Sequence, residues 1–335
     1  MIRLNRRAAC GVMLRVMVRS LFFSTLLVAT VLLAAGDLSA ATRDGLPNTG
    51  DPGFRFEGKG APELSTDFEK RRSEAIAGDA EAANLLGFLH ARGRGVAQDY
   101  TKALRWYGLA AQRGHTEAQF NLALLHQFGL GTPPDPDKAI VWYRRAADGG
   151  NPFARFNLGQ VYLFGTGVAI DHAMAAKWFR LAADQGHATA QLNLGFLHFV
   201  GRGVARDIPT ALSWYRRAAQ QGEPDAQLNL ANLLYSGAPD IAADEADDDD
   251  ASDGTTGTPA TTQSGVTIDH DAAASWYRRA AESGHPEAQL NLGALYLRGH
   301  GVEKDASQAL NWFQRAAARD NAAAQYNIGL LYEAG

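Results

Sequence analysis

The chain has 335 residues, 46% of them hydrophobic, with a formal net charge of −4. It therefore holds enough apolar material for a core and lacks the basic excess expected of a nucleic-acid binder. Its one cysteine is Cys10, which excludes an intrachain disulfide and a structural zinc site built from cysteines.

In chain order, the first element is a targeting segment. Arg3, Arg6, Arg7, Arg15 and Arg19 form a positive region, and Leu21 to Ala35 is an uncharged apolar run. Small residues follow, with Ser39 and Ala41 (or Ala34 and Gly36) placed for cleavage. That is the layout of a secretory signal peptide over residues 1–41 and implies a periplasmic or secreted protein. The alternative is an uncleaved inner-membrane anchor, although the run is short of the ~20 apolar residues that a bilayer requires. Cys10 precedes the apolar run and is not a lipobox cysteine. Residues 42–65, rich in glycine, proline and charge, read as a flexible tether. Thr66-Asp67-Phe68-Glu69 fits a capping box that opens a helix running to about Ala77.

From residue 78 the chain repeats. Glycines open units at Gly78, Gly114, Gly150, Gly186, Gly222 and Gly284, and Asp320 opens a partial seventh; the spacing is 36 residues except for 62 in the fifth unit. With the opening residue as position zero, position 28 holds Trp106, Trp142, Trp178, Trp214, Trp276 and Trp312, all six tryptophans of the chain. Position 21 holds Asp99, Asp135, Asp171, Asp207, Asp269 and Asp305. Each unit reads as two helices. The first carries an apolar stripe at positions 4, 8, 11 and 12 (Ala190, Leu194, Leu197 and His198 in the fourth unit). A Gly-x-Gly-Val loop such as Gly201–Val204 ends it. The position-21 aspartate then caps the second helix, with Pro136 suited to a first helical position. That second helix carries Ala211, Trp214, Tyr215 and Ala218-Ala219 on one face. Small residues at position 9 (Gly87, Ala123, Gly159, Gly195, Ala231, Gly293) allow close helix approach, and the tryptophans are expected to fill the space between the two helices. One pair cannot bury both its faces, so neighbours must stack. The fold class is all-α, a solenoid of tandem 36-residue helix-turn-helix units over residues 66–335. The chain ends within the seventh unit, whose missing second helix leaves an apolar face bare unless an atypical cap or further chain covers it.

Ala-Gln-Leu-Asn-Leu-Gly at Ala190–Gly195, Gly201-Arg202-Gly203-Val204, and Ala211…Trp214-Tyr215-Arg216-Arg217-Ala218-Ala219 resemble the Sel-one-like repeat, a relative of the tetratricopeptide repeat. The resemblance covers about Gly78 to the C-terminus. It implies an α/α superhelix used for protein–protein contact, often in the bacterial envelope, with the first helix of each pair lining the concave side. A subgroup of the family pairs cysteines within repeats and has been credited with β-lactam hydrolysis; the missing cysteines and serine motif give that activity no support here.

Two sets of residues are candidates for the groove that the resemblance implies. Positions 6, 10 and 13 point away from the stripe that meets the second helix, and include Phe120, Phe156 and Leu192, then Leu124, Gln160 and Phe196, then Gln127, Leu163 and Phe199. Packing against first helices of adjacent units is the alternative role, strongest for position 6. The second set is an asparagine ladder at position 7: Asn121, Asn157, Asn193, Asn229, Asn291 and Asn327. Asparagine is a poor helix-interior residue, so its recurrence needs a cause. Either it bonds the adjacent helix or, as in some tetratricopeptide repeats, it grips a peptide; both roles can hold in different units.

Other chemistry finds little footing. His90, His126 and His198 share position 12, and His115, His187 and His285 share position 1, which indicates repeat architecture rather than a metal or catalytic site. No metalloprotease, nucleophile-elbow, Ser-x-x-Lys or phosphate-loop motif occurs. The fifth unit carries 26 extra residues, an acidic and Thr/Gly-rich insertion at about 238–265. Asp249…Asp253-Gly254 faintly resembles a calcium loop, but Ala251 and Ala260 stand at ligand positions, so the insertion reads as a solvated, disordered loop. The sequence thus points to an exported interaction scaffold of the bacterial envelope, not an enzyme, with a protein or peptide partner and no cofactor, metal or nucleic acid. The membrane is a partner only if the leader is retained. The competing readings are a cell-wall hydrolase or penicillin-binding activity, and a periplasmic regulator of a membrane sensor.

Overall fold

Breakers at fixed positions turn each repeat into a helix pair. A computed structural model describes residues 53–55, 68–237 and 266–333. The leader, most of the tether, the Thr66-Asp67 half of the capping box and the acidic insertion lie outside the described residues. Fourteen α-helices and no strands occur among those described, and the chain divides into two units, one ending at His187 and the other continuing from Ala188.

In the first unit α1 (Phe68–Ala77) precedes three pairs: α2 (Ala80–Arg92) with α3 (Tyr100–Gln112), α4 (Thr116–Phe128) with α5 (Pro136–Asp148), and α6 (Pro152–Phe164) with α7 (His172–Ala183). Each helix packs on its chain neighbours, α1 on α2, α3 on α4, α5 on α6. The second unit holds α8 (Ala188–Val200) with α9 (Ile208–Gln220), α10 (Pro224–Ser236) with α11 (His270–Glu282), α12 (Pro286–Arg298) with α13 (Ala306–Ala317), and finally α14 (Ala322–Glu333), which packs on α13. Tyr326 and Tyr332 of α14 are exposed.

The caps are those the sequence predicts. All six position-21 aspartates sit at the N-cap, five of them in extended geometry, and each side chain accepts a hydrogen bond of 2.8–3.0 Å from the backbone N–H three residues on. The N–H of the same aspartate donates back to the carbonyl at position 12 of its own first helix, as in Asp99 to His90 and Asp305 to Tyr296, both 2.9 Å. Each loop is therefore closed at both ends by one residue. The opening position requires a left-handed backbone, with φ of 85° to 120° at the six glycines; Asp320, in the seventh unit, is held at φ 59° without glycine's freedom.

One packing expectation is corrected. The space between paired helices is filled by the residue after the tryptophan: Tyr107, Tyr143, Phe179, Tyr215, Tyr277 and Phe313, all buried. The position-9 glycine exists for this ring. A Cβ on Gly159 would stand 2.5 Å from Phe179, and one on Gly293 2.6 Å from Phe313. Trp106, Trp142, Trp178 and Trp276 are only half-buried. Trp214 and Trp312 are buried, and four tryptophans, Trp142, Trp214, Trp276 and Trp312, carry the guanidinium of the arginine three residues on, 4.5–4.7 Å from the ring centroid. Adjacent helical residues point about 100° apart, so only one of the two can enter the gap.

Candidate peptide-binding face

The candidate groove residues lie on the first helices of the pairs: Phe120, Asn121 and Leu124 on α4, Phe156, Asn157, Gln160 and Leu163 on α6, Leu192, Asn193, Phe196 and Phe199 on α8, Asn229 on α10 and Asn291 on α12. Positions 6, 10 and 13 are less open than the sequence suggests. Phe120, Leu124, Leu192, Phe196 and Phe199 are buried, Phe199 to 1% exposure. Phe156, Gln160 and Leu163 are half-buried. For position 6 the contacts explain this. Phe120 packs 6.0 Å from both the Tyr143 and Phe153 rings, and Phe156 lies 5.8 Å from Phe179. Phe120 thus wedges between its partner helix α5 and the first helix of the next pair, α6, as the alternative role required. Gln127 turns to its own pair and accepts the Tyr143 hydroxyl proton.

The asparagines of the ladder make two kinds of contact. Asn157 hydrogen-bonds the hydroxyl of Tyr143 on the preceding helix. Asn291 likewise hydrogen-bonds Tyr277, whose hydroxyl donates to Asn232 at 2.5 Å. These are helix-to-helix ties. Asn193 and Asn229 are buried. Asn121 does something else. Its Oδ1 accepts from the backbone N–H of Arg55 at 3.1 Å, and its Nδ2 donates to the carbonyl of Arg55 at 2.9 Å. One side chain thus reads both polar groups of an extended residue 66 positions away, as a neighbouring strand would. The Tyr107 hydroxyl, at the position equivalent to Tyr143 and Tyr277, is buried without a hydrogen-bond partner.

Residues 53–55 fall in the stretch read as a tether, and the expectation of a free tether is corrected for these three. Phe54 is 3% exposed. Its ring stacks on Tyr107 at 6.1 Å and lies 6.2 Å from Tyr100, and its carbonyl accepts from Arg92 Nη2 at 3.0 Å. The Arg55 guanidinium lies 4.0 Å over the ring of Phe153. Behind that ring His187 meets Phe153 edge-on at 5.2 Å and stacks on Phe156 at 4.6 Å. Burial, reinforced by the Arg55 charge, holds the His187 pKa down from 6.5 to about 4. Phe54, Arg55, Arg92 and Phe153 were not singled out by the sequence. The one signal was an aromatic–arginine pair, Phe54-Arg55, inside an otherwise glycine- and proline-rich stretch.

The other position-1 histidines serve the repeat. His115 Nδ1 accepts from the Ala118 N–H at the start of α4, and its Nε2 meets Glu81 of the preceding pair at 2.9 Å. His285 does the same with Ala288 and Asp225. Among the described residues no group of three or more His, Cys, Asp or Glu side chains is placed to hold a metal ion, and no described helix is long and apolar enough to cross a membrane.

The Sel1 repeat model matches residues 80–115, 116–151, 152–187, 188–223, 224–246, 262–285, 286–321 and 322–335. The fifth unit is thus matched as two stretches on either side of the insertion. Among solved structures the chain is similar to c5321, described as a protective antigen present in uropathogenic Escherichia coli strains displaying an SLR fold. The identity is 34% and the TM-score 0.70, over 81% of this chain and 52% of that one. It is also similar to a Sel1 repeat protein from Oxalobacter formigenes, at 31% identity and TM-score 0.63 over 78% of this chain and 68% of that one. The chain therefore spans about half the length of the E. coli relative. No curated protein matches it. With the repeat match extending from residue 80 to the end and both neighbours above 30% identity, the chain belongs to the Sel1 repeat family, whose members are generally protein-interaction scaffolds.

Proposed function

We propose that the protein is an exported interaction scaffold of the bacterial envelope that takes up a peptide or an extended segment of a partner on the face built by the first helices of the unit ending at His187. One observation carries this reading: Asn121 hydrogen-bonds both the N–H and the C=O of Arg55, so this face already accommodates an extended main chain in a sequence-independent way. Export rests on the arginine-rich, apolar leader. It agrees with the description of the E. coli relative as a protective antigen, since an antigen must be reachable by antibodies. Expressed with its leader in a Gram-negative host, the protein should fractionate with the periplasm and begin near residue 37 or 42; a cytosolic chain retaining Met1 would remove the envelope from the proposal.

The binding reading is tested by affinity capture from an envelope extract, comparing the parent with a variant in which the half-buried Gln160 and Leu163 are both replaced by glutamate. Retention of the partner should fall at least tenfold, a loss of about 1.4 kcal/mol, while the helical circular dichroism stays unchanged. Equal retention by the two proteins would move the binding surface off this face.

A further inference from the structure

The three docked residues make contacts that differ in kind. The paired hydrogen bonds from Asn121 to Arg55 fix an extended backbone whatever the side chain. The contacts of the two side chains carry chemical selectivity. Phe54 is enclosed against Tyr107 and Tyr100, which favours a flat aromatic ring. Arg55 lies over Phe153, which favours a planar cation. Arg92 reads the carbonyl of the aromatic residue. A segment that only tied the chain to its solenoid would not need a backbone clamp, an aromatic slot and a cation platform at consecutive positions.

The repeat also supplies a resting partner for the clamp. At two equivalent places Asn157 bonds Tyr143 and Asn291 bonds Tyr277, whereas the Tyr107 hydroxyl, like that of Tyr215, is buried and unsatisfied. A buried polar group without a partner is costly. If Phe54-Arg55 departs, Asn121 is free to bond Tyr107 as Asn157 bonds Tyr143 and Asn291 bonds Tyr277, which lowers the cost of emptying the site.

We propose that the face around Asn121 is a recognition site for an extended aromatic–arginine dipeptide, and that Phe54-Arg55 of the same chain occupies it as an intramolecular competitor, which a partner peptide of that chemistry must displace. The proposal rests on the peptide-binding reading above and adds the ligand class and its control. Arg55 is joined to the first helix at Phe68 by a short stretch of chain, so the local concentration of the internal ligand is on the order of millimolar, and an external peptide binds only to the extent that it outcompetes it.

The test uses the full chain and a fluorescent synthetic peptide with the sequence of residues 50–58. The parent should bind it weakly. The double variant Phe54→Ser with Arg55→Ser should bind it at least tenfold more tightly, and adding Asn121→Ala to that variant should remove at least tenfold of the gained affinity. A peptide with serines at both recognition positions should bind none of these proteins. The single variant Arg55→Ser gives a second reading that does not depend on the double variant folding. It should bind the peptide several-fold more tightly, and the His187 ring should titrate at higher pH in NMR, because the neighbouring cation is gone. Four results overturn the proposal: a folded double variant that binds no peptide, binding indifferent to Asn121, a parent that binds as tightly as the double variant, or an Arg55→Ser variant unchanged in both respects. Concentration-dependent dimers that dissolve in the double variant would place the dipeptide in a second copy and overturn its intramolecular role. Peptide binding as expected, with envelope capture unaffected by the Gln160 and Leu163 substitutions, would leave this inference standing while removing the envelope-partner reading; the opposite pattern would do the reverse.

Discussion

Truncating Phe179 to alanine is expected to cost the first unit about 3–5 kcal/mol, whereas truncating its neighbour Trp178 is expected to cost about 1–2 kcal/mol. Phe179 is fully buried and fills the gap that the bare Cα of Gly159 leaves, so closely that any side chain there would collide with its ring. Removing it opens a cavity between helices that are tied together at their loop by the Asp171 N–H to Tyr162 carbonyl hydrogen bond and close up only in part. Having no hydroxyl, Phe179 leaves no unpaired polar group behind, which makes it a cleaner probe than the tyrosines of the other pairs. Trp178 stays half in solvent in the native state and gives up correspondingly less transfer free energy. Urea unfolding of the two variants followed by circular dichroism measures the contrast. Equal losses, or a larger loss at Trp178, would return the tryptophan to the centre of the packing.

Acidification should weaken the same unit through His187. Its native pKa lies near 4 against an ordinary 6.5, so the folded protein keeps the ring neutral while the unfolded chain binds a proton. Stability from this residue is fully present above pH 6.5, falls as the pH drops through the interval to 4, and then levels off. The gap corresponds to about 3 kcal/mol. The ring is sandwiched by Phe153 and Phe156 with Arg55 beyond, so burial disfavours the charged form first and the guanidinium adds to it. A His187→Phe variant keeps the aromatic stack and has no proton to bind. The difference in unfolding free energy between parent and variant, measured from pH 7 to pH 4, should change by roughly that amount. A difference that does not vary with pH would mean that His187 titrates normally in the folded state.

The parts of the molecule legible in the sequence are those encoded locally. An aspartate followed three residues later by a free N–H, or a glycine where φ must be positive, is decided within a few residues, and Asp99, Asp135 and their four counterparts cap as expected. The choice between Trp178 and Phe179 for the interior was not legible, because both lie on the buried half of the helix. The deciding contact, with Gly159, comes from another helix. Invariance favoured the tryptophan, yet Trp106, Trp142, Trp178 and Trp276 stay only half-buried. The candidate face was legible in part: the ladder gave Asn121 but not its partner. Arg55 is 66 residues away, in a stretch without periodicity, and nothing local announces a contact of that range. Conversely, Phe196 and Phe199 point away from the stripe that meets the second helix and were expected to line a groove, but both are buried, since a face turned from one neighbour can be covered by another.

The loop clasp has a consequence for how such a chain can be extended. In the fifth unit the N–H of Asp269 still reaches the carbonyl of Leu234 at 2.8 Å, and α10 and α11 pair like the others although 28 residues, Ala238 to Gly265, lie within the connection between them. The clasp is made by residues on either side of the connection, so the helices meet in register whatever lies between. Closing a longer loop adds only slowly to the entropic cost. Every connection from a first helix to its second is on these terms a graft site, where foreign sequence could be displayed at regular intervals without rewriting the frame that holds it.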